Sequence, residues 1–167
     1  MPIRRLQAAD APAWRALRLR GLREHPAAFT SSAEEDEQQP LQAAQQRLAR
    51  PDALFWGAFE DGRLCGIVGL ERERRAKNRH KATVVGMYVA SECAGRGIGR
   101  ELLQALVREA AALGLQLLVL TVTEGDGPAR RLYEAAGFRA FGTEPRAIQA
   151  DGRFFAKIHM CLELPAP

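Results

Sequence analysis

Residues 83–123 combine a strand, a helix and a second strand, and this segment constrains the possible folds more than any other. Residues 83–89 are predicted to form a strand, and from Gly99 onward apolar residues recur with helical spacing until Gly114 ends the helix. The run 115–123 is almost continuously apolar, which is typical of a strand covered on both faces. Because the intervening helix is a crossover connection, the two strands are predicted to run parallel.

Antiparallel hairpins are predicted on both sides of this unit. Each one turns at an Asp-Gly pair, a strong hairpin signal, and the predicted strands are 53–59 and 64–73 around Asp61-Gly62, and 138–148 and 153–164 around Asp151-Gly152. The fold class is therefore α/β with a mixed sheet, in which antiparallel hairpins flank one central parallel pair and about four helices complete the domain.

The predicted helices outside the crossover are short. Asp10 is predicted to cap a helix that follows a strand near residues 4–6, and Pro128 opens a last helix that Gly137 ends.

A further helix is predicted at 40–49, with Pro40 at its first position and an inward face formed by Leu41, Ala44 and Leu48. Residues 25–39 are predicted to be largely a connecting segment. Ser32 and Glu35 have capping-box spacing, but Pro40 would interrupt a helix that they start.

Length and composition favour one globular domain over residues 1–167, since the chain has 47% hydrophobic and 26% charged residues. Its three cysteines lie far apart and no metal-ligand spacing occurs, so no metal site is assigned. No apolar run is long enough to cross a membrane and no signal core is present, so a cytoplasmic location is expected. The net charge of +4 owes much to basic residues between Arg72 and Lys81, interpreted as a solvated hairpin tip or, alternatively, a site for an anionic partner.

The turn before the central helix reads Ala94-Gly95-Arg96-Gly97-Ile98-Gly99-Arg100. Backbone N–H groups at a helix start lack intrahelical partners and bind phosphate, although glycines in a merely flexible turn are an alternative. The nucleoside triphosphate loop is excluded because no Gly-Lys-Ser/Thr ending follows. The dinucleotide fingerprint is excluded because residue 100 is not glycine.

Two segments resemble motifs of the GCN5-related N-acetyltransferase superfamily. Gly97-Ile98-Gly99, following Met87-Tyr88-Val89, resembles the signature Q/R-x-x-G-x-G/A that binds the pyrophosphate of coenzyme A, and residues 132–138 resemble the family's second motif. The predicted order of elements is similar to the family's fold over essentially the whole chain. The resemblance implies acetyl-CoA as cosubstrate and a primary amine as acceptor.

The resemblance also implies which residues bind the cofactor, with the main chain of Met87 and Val89 pairing with the pantetheine. The residues assigned to it are Met87, Tyr88, Val89, Ala94, Gly95, Arg96, Gly97, Ile98, Gly99, Arg100, Asp126 and Arg130. Two of them depart from the family pattern: Ala94 replaces Gln or Arg, and Asp126 replaces Asn. Binding is therefore expected to depend on backbone amides with Arg96 and Arg100, while Asp126 contacts the pantetheine region or caps the helix.

Tyr133 matches the family's tyrosine, which implies that it protonates the leaving thiolate; a core aromatic is the alternative. No carboxylate occurs on strand 83–89, so Glu71 is the candidate base, acting directly or through water, with Glu35 and Glu124 behind it. A solvent-exposed strand face is the alternative for Glu71. The acidic run 34–37 favours a cationic acceptor or is an ordinary solvated run.

The sequence thus predicts an N-acetyltransferase that acts by direct attack in a ternary complex. The alternative is a non-catalytic acetyl-CoA-binding regulator of the same fold. A nucleic-acid-binding module is disfavoured, because the basic cluster lacks interleaved aromatic residues for base stacking. The resemblance also admits a homodimer through the final hairpin.

Overall fold

A computed structural model describes residues 1–167 and places all seven strands in one mixed sheet. The strands are β1 (Ile3–Arg5), β2 (Ala53–Glu60), β3 (Arg63–Arg72), β4 (Lys81–Val89), β5 (Leu117–Thr123), β6 (Arg139–Ala150) and β7 (Arg153–Glu163). Their spatial order is β1-β2-β3-β4-β5-β7-β6. The helices are α1 (Ala11–Glu24), α2 (Ala33–Gln38), α3 (Leu41–Ala49), α4 (Ile98–Ala112) and α5 (Gly127–Ala135). None of them combines the length and apolarity needed to cross a membrane.

The parallel pair is short. Strands β4 and β5 pair only from Lys81 to Thr83 and from Leu117 to Val119, and beyond these residues no further pairing joins them. All other neighbouring strands are antiparallel. The predicted parallel junction is confirmed, and its early end opens a wedge between β4 and β5 in the middle of the sheet.

Both predicted hairpin turns are confirmed. Asp61 and Gly62 have φ of 48° and 77°, and Asp151 and Gly152 have φ of 52° and 70°. Two consecutive residues with positive φ are what a type I′ turn requires, and Asp-Gly pairs tolerate this backbone best. The twist of such a turn matches that of the strands that it joins, which fixes the register of β2 with β3 and of β6 with β7.

Helices cover both faces of the sheet. The predicted apolar face of α4 is buried, with Leu102 and Leu106 fully enclosed in one core cluster. On the opposite face α1 and α3 contribute to a second cluster, where the Trp14 ring lies edge-on to Phe55 at 5.3 Å. Burying each of these large side chains contributes roughly 1.5–3 kcal/mol to stability. The two clusters therefore hold helices against both faces of the sheet.

The prediction for residues 25–39 was wrong in part. Ser32 and Glu35 form the reciprocal capping box, in which the Glu35 amide donates to the Ser32 hydroxyl at 3.1 Å, and α2 follows. The helix ends at Gln38, and Gln39 adopts the extended backbone that a residue before proline prefers. Pro40 therefore ends this helix without preventing it.

Three details at the other N-terminal helices also differ from expectation. Pro40 is extended and precedes α3, which begins at Leu41, and Leu41 is 37% exposed because it lies at the free end of the helix. Ala44 and Leu48 are buried as predicted. Asp10 precedes α1 but its carboxylate makes no cap, since it already accepts hydrogen bonds from the Gln7 amide and from Arg4.

Candidate active site

The wedge between β4 and β5 contains two adjoining cavities. The first, here called the turn cavity, has a volume of about 790 Å³ and lies against the glycine turn and the start of α5. The second, the wedge cavity, has a volume of about 500 Å³ and lies deeper between the two strands, against α1 and β7. Both are lined by Phe29, Met87, Thr123 and Asp126, so they meet where the strands have separated.

A bulge in β4 shapes this meeting point. Ile67 pairs with Tyr88 and Gly69 with Val85, so that two residues of β4, Gly86 and Met87, stand opposite one residue of β3. Gly86 has a φ of 63°, which L side chains adopt only with strain. The edge of β4 that faces the wedge has no partner strand along its last six residues. Its main-chain groups are therefore free to pair with an extended ligand.

The glycine turn presents free backbone donors. None of the six consecutive amides from Gly95 to Arg100 donates to a backbone acceptor, and helical bonding resumes only where the Glu101 amide donates to the Gly97 carbonyl at 3.0 Å. Gly95 and Gly97 have φ of 75° and 80°, a backbone that glycine adopts without strain. A row of unpaired amides at the positive end of a 15-residue helix has the features that suit an anion.

The two arginines of the turn are placed differently. Arg100 lines the turn cavity, and its Nη2 is 4.0 Å from where a Cβ on Gly97 would stand. Arg96 does not line either cavity, because its guanidinium pairs with the Glu60 carboxylate. Arg100 can therefore add charge to the anion site, while Arg96 is already engaged.

The other residues assigned to the cofactor fall into two groups. The lining of the turn cavity includes Met87, Tyr88, Val89, Ala94, Gly95, Gly97, Ile98, Gly99 and Asp126. Arg130 lies outside both cavities and pairs with Glu134 at 2.8 Å, one helical turn away. Asp126 precedes α5, and its carboxylate accepts from the Ala129 amide at 3.2 Å, so it caps the helix.

Tyr88 lines the turn cavity and also contacts α1. Its ring packs on Gly21 of α1, and its hydroxyl donates to the Glu24 carboxylate at 2.5 Å. Burial and this bond together raise the pKa of Tyr88 above its usual value. The side chain thus joins α1 to β4.

Tyr133 lines the wedge cavity from α5 and is 7% exposed. Its ring lies edge-on to Phe138 at 5.9 Å within the core cluster, so it is both a core aromatic and a wall of the site. Burial raises the pKa of Tyr133, and the nearby Asp126 carboxylate raises it further. The phenol is therefore protonated at neutral pH and can act as a proton donor.

The carboxylates considered as bases are all engaged. Glu71 accepts from Arg47 at 2.9 Å and lies outside the walls of both cavities. Glu124 accepts from the Ala156 amide at 3.0 Å, and Glu35 belongs to the capping box of α2. Any contact of Glu71 with a substrate would have to pass through Arg47 or through water.

Two residues of the acidic run form ion pairs within the protein. Asp36 accepts from Arg18 Nε at 2.6 Å, and Glu37 pairs with Arg23. Neither Glu34 nor any other acidic residue of the run lines a cavity.

Sequence reasoning missed the cationic wall of the wedge cavity. Arg18 of α1, Arg47 of α3 and Lys157 of β7 form this wall, and His159 of β7 also lines the cavity. His159 Nε2 lies 3.0 Å from the Glu144 carboxylate. Since these residues come from distant segments, no local motif marks them, and α1 carries several arginines that do not face the cavity.

The family comparison agrees with this geometry. The model of the acetyltransferase (GNAT) family matches residues 19–138, well over half of the chain. The chain belongs to this family. The resemblance inferred from the two sequence motifs is thereby confirmed, and the GNAT model covers both the glycine turn and Tyr133.

Individual GNAT proteins show how far the likeness extends. A putative phosphinothricin acetyltransferase of Bacillus subtilis is 29% identical over 100 residues, which cover 60% of this chain and 61% of that protein. The chain therefore spans about three fifths of that relative. A ribosomal-protein-alanine N-acetyltransferase from Brucella melitensis superposes with a TM-score of 0.82 at 26% identity, over 98% of this chain and all of the other.

A putative acetyltransferase from Salmonella typhimurium, solved with its cofactor acetyl-CoA, gives a TM-score of 0.83 over 100% of this chain and 95% of that one. At 23% identity this likeness shows the fold. The predicted GNAT fold, a mixed sheet with flanking helices, is confirmed by both structures.

Proposed function

We propose that this GNAT protein is an N-acetyltransferase that moves the acetyl group of acetyl-CoA to a primary amine by direct attack in a ternary complex. The observation that carries the proposal is the pairing of two features across one wedge. Six consecutive unpartnered amides belong to the turn that borders the turn cavity, and a protonated phenol, that of Tyr133, lines the adjoining wedge cavity. The first feature suits a pyrophosphate, and the second suits a leaving thiolate.

The cofactor is proposed to bind in three parts. The pyrophosphate lies against the amides of residues 95–100 with Arg100 beside it. The pantetheine runs along the open edge of β4, where the main chain of Met87 and Val89 supplies hydrogen bonds as an added strand would. The thioester then reaches the junction of the two cavities, close to Asp126 and Tyr133.

The reaction needs one proton to leave the amine and one to reach the sulfur. The neutral amine attacks the thioester carbonyl, its nitrogen forms the new amide bond, and the carbon–sulfur bond breaks. The departing thiolate takes the proton of the Tyr133 hydroxyl, and the proton released by the amine goes to a base or to water. Restoring the phenol from solvent completes the cycle.

Two side chains are proposed as routes for the amine's proton. His159 lines the wedge cavity directly and is held by Glu144. Glu71 stands behind Arg47 and reaches the cavity only through water. His159 is the shorter route, because a base must lie within hydrogen-bond reach of the proton that it removes.

The test is release of free thiol from acetyl-CoA across a panel of amines, with acetyl-CoA binding measured in parallel by calorimetry. Binding together with amine-dependent thiol release supports the proposal. Binding without thiol release for any amine would show a non-catalytic acetyl-CoA-binding regulator of the same fold. Absence of binding would contradict the assignment of the glycine turn.

A further inference from the structure

The wedge cavity has an unusual charge balance for a site that takes an amine. Three permanently or ordinarily positive side chains line it, those of Arg18, Arg47 and Lys157. The only carboxylate in its wall is that of Asp126, which caps α5. A cationic substrate such as a polyamine would meet like charges here without a free carboxylate to bind.

Arg18 is the most enclosed of the three, since only 10% of its side chain is exposed. Its Nε donates to Asp36 at 2.6 Å, which fixes the orientation of the guanidinium. Its Nη1 and Nη2 make no hydrogen bond within the protein, and neither is sealed from solvent. Nη1 lies 3.7 Å from where a Cβ on Gly86 would stand, so the unpaired side of the guanidinium lies next to the bulge of β4.

Arg47 is arranged in the same way. Its Nη2 donates to Glu71 at 2.9 Å, and its other nitrogens have no protein partner. The guanidinium carbons of Arg18 and Arg47 lie 5.8 and 5.5 Å from the centre of the Trp14 ring, so the two forks flank one indole. Each arginine is anchored by a carboxylate on one edge and presents unused N–H donors on another.

Lys157 completes the cationic wall from β7. Its ammonium donates to the Thr30 hydroxyl at 2.7 Å and forms no ion pair. The hydroxyl accepts a hydrogen bond from only one of the three N–H groups and carries no charge, so the charge of Lys157 is left uncompensated.

We infer that the acceptor is a free amino acid, whose carboxylate binds the unused donors of Arg18 and Arg47 and whose amine faces the acetyl group. The inference rests on the proposed function and names the substrate class of its site. Arginine forks match the geometry of a carboxylate, and hydrogen bonds between two charged groups are the strong ones. A volume of about 500 Å³ suits a small molecule of this kind.

The same charges assist the chemistry. Positive groups near an ammonium lower its pKa, because they disfavour the charged form. An amino acid whose carboxylate is neutralised by two arginines therefore loses its amine proton more readily than the free zwitterion does. This partly compensates for the lack of a free carboxylate base in the wall.

The first experiment compares matched acceptors in the thiol-release assay. L-amino acids are screened, and the best one is compared with its primary amide and with the amine left after decarboxylation. The amino acid is expected to have a kcat/KM about 10- to 100-fold higher than either analogue, since each loses a hydrogen-bonded charge. Equal or faster turnover of the amide, or of a peptide N-terminus, overturns the inference and leaves the acetyltransferase proposal standing.

The second experiment removes the charges. Arg18→Gln and Arg47→Gln are expected to raise KM for the amino acid about 10-fold or more and to leave KM for the amide within about 2-fold. Arg18→Lys keeps the charge and should recover part of the loss. Because Arg18→Gln leaves Asp36 without its partner, the double variant Arg18→Gln/Asp36→Asn tests the same point in a matched background. If these variants raise KM equally for the amino acid and for its amide, the arginines do not bind the carboxylate.

Arg23→Gln is the control, because Arg23 also lies on α1 and pairs with an acidic residue but does not line a cavity. It should leave both KM values unchanged.

Should no amine give turnover, the acetyltransferase proposal fails, and the inference is then tested by calorimetry on the complex with coenzyme A. Binding of the amino acid but not of its amide supports it, and equal binding or no binding of either overturns it.

Discussion

The Tyr133 hydroxyl is the most direct test of the proposed chemistry, because Tyr133→Phe removes one oxygen and little else. The hydroxyl forms no hydrogen bond within the protein, so its loss leaves no buried partner unsatisfied. The ring keeps its edge-on contact with Phe138 and its place in the core cluster. The free energy of unfolding should therefore change by less than about 0.5 kcal/mol.

The rate should respond very differently. A positioned proton donor contributes about 10²–10⁴ in rate, which corresponds to about 3–5 kcal/mol in the activation free energy. We therefore expect Tyr133→Phe to lower kcat at least about 100-fold, measured as thiol release at saturating acetyl-CoA and acceptor. Acetyl-CoA affinity should stay within about 2-fold, since the pyrophosphate site lies at the glycine turn.

Tyr88→Phe is the matched control. Tyr88 is the only other tyrosine, and it is also buried with a raised pKa, but its hydroxyl donates to Glu24 of α1 and it does not line the wedge cavity. Its loss should lower the unfolding temperature and leave kcat nearly unchanged. The reasoning is refuted if Tyr133→Phe turns over at the wild-type rate, or if the two variants lose activity equally.

The pH profile gives a second reading of the same group. An acid must be protonated to act, and a raised pKa moves its loss of the proton to higher pH. Burial and the Asp126 charge both raise the pKa of Tyr133, so kcat should show no decline from this group up to about pH 10. Asp126→Asn keeps a good capping residue but removes the charge, so any alkaline decline should move to lower pH. An unchanged decline would separate Asp126 from the phenol.

The remaining predictions concern the cofactor site, the bulge and the base. Arg100→Ala should weaken acetyl-CoA binding about 10-fold, measured by calorimetry, because Arg100 lines the turn cavity. Arg96→Ala only removes a partner of Glu60 and should change the affinity by less than about 2-fold. Equal effects of the two variants would contradict the placement of these side chains. Gly86→Ala should lower the free energy of unfolding by about 1 kcal/mol and the unfolding temperature by about 2–4 °C, because the φ of Gly86 is 63°. An unchanged unfolding temperature would show that the bulge accepts a side chain without strain. His159→Gln should lower kcat about 100-fold, because His159 lines the wedge cavity. Glu71→Gln should lower kcat less, because Glu71 pairs with Arg47 outside the cavity wall. A larger loss for Glu71→Gln would assign the base role to Glu71.

The parts of the fold that the sequence predicted depend on local rules. Asp61-Gly62 and Asp151-Gly152 specify their turns through positive φ, and the glycines at 95 and 97 specify a backbone that only a few residues adopt. The apolar spacing of α4 and the continuous run of β5 predicted the crossover in the same way. Each of these signals lies within the turn, helix or strand that it determines.

The errors occur where two local rules compete. Around Pro40 the capping box favoured a helix and the proline opposed one, and both rules hold in the structure at different residues. At Asp10 a capping residue stands before a helix, but the Arg4 guanidinium pairs with its carboxylate first. Asp10 could have bonded either the helix amides or Arg4, and the sequence alone does not show which of these groups lies nearer to its carboxylate.

The charge of the acceptor site could not be derived from sequence, because it depends on which side chains the tertiary fold brings into the wedge. From sequence, the acidic run 34–37 either favoured a cationic acceptor or was an ordinary solvated run. In the structure Asp36 accepts from Arg18 at 2.6 Å, and Glu71 accepts from Arg47 at 2.9 Å. Carboxylates that appeared able to bind a substrate or to act as a base instead hold two arginines at the cavity wall. Since each arginine is fixed along one edge, its remaining donors point into the wedge at little further entropic cost. For the inferred amino acid acceptor, Asp36 and Glu71 would thus act through the arginines that they orient and not by binding the substrate themselves.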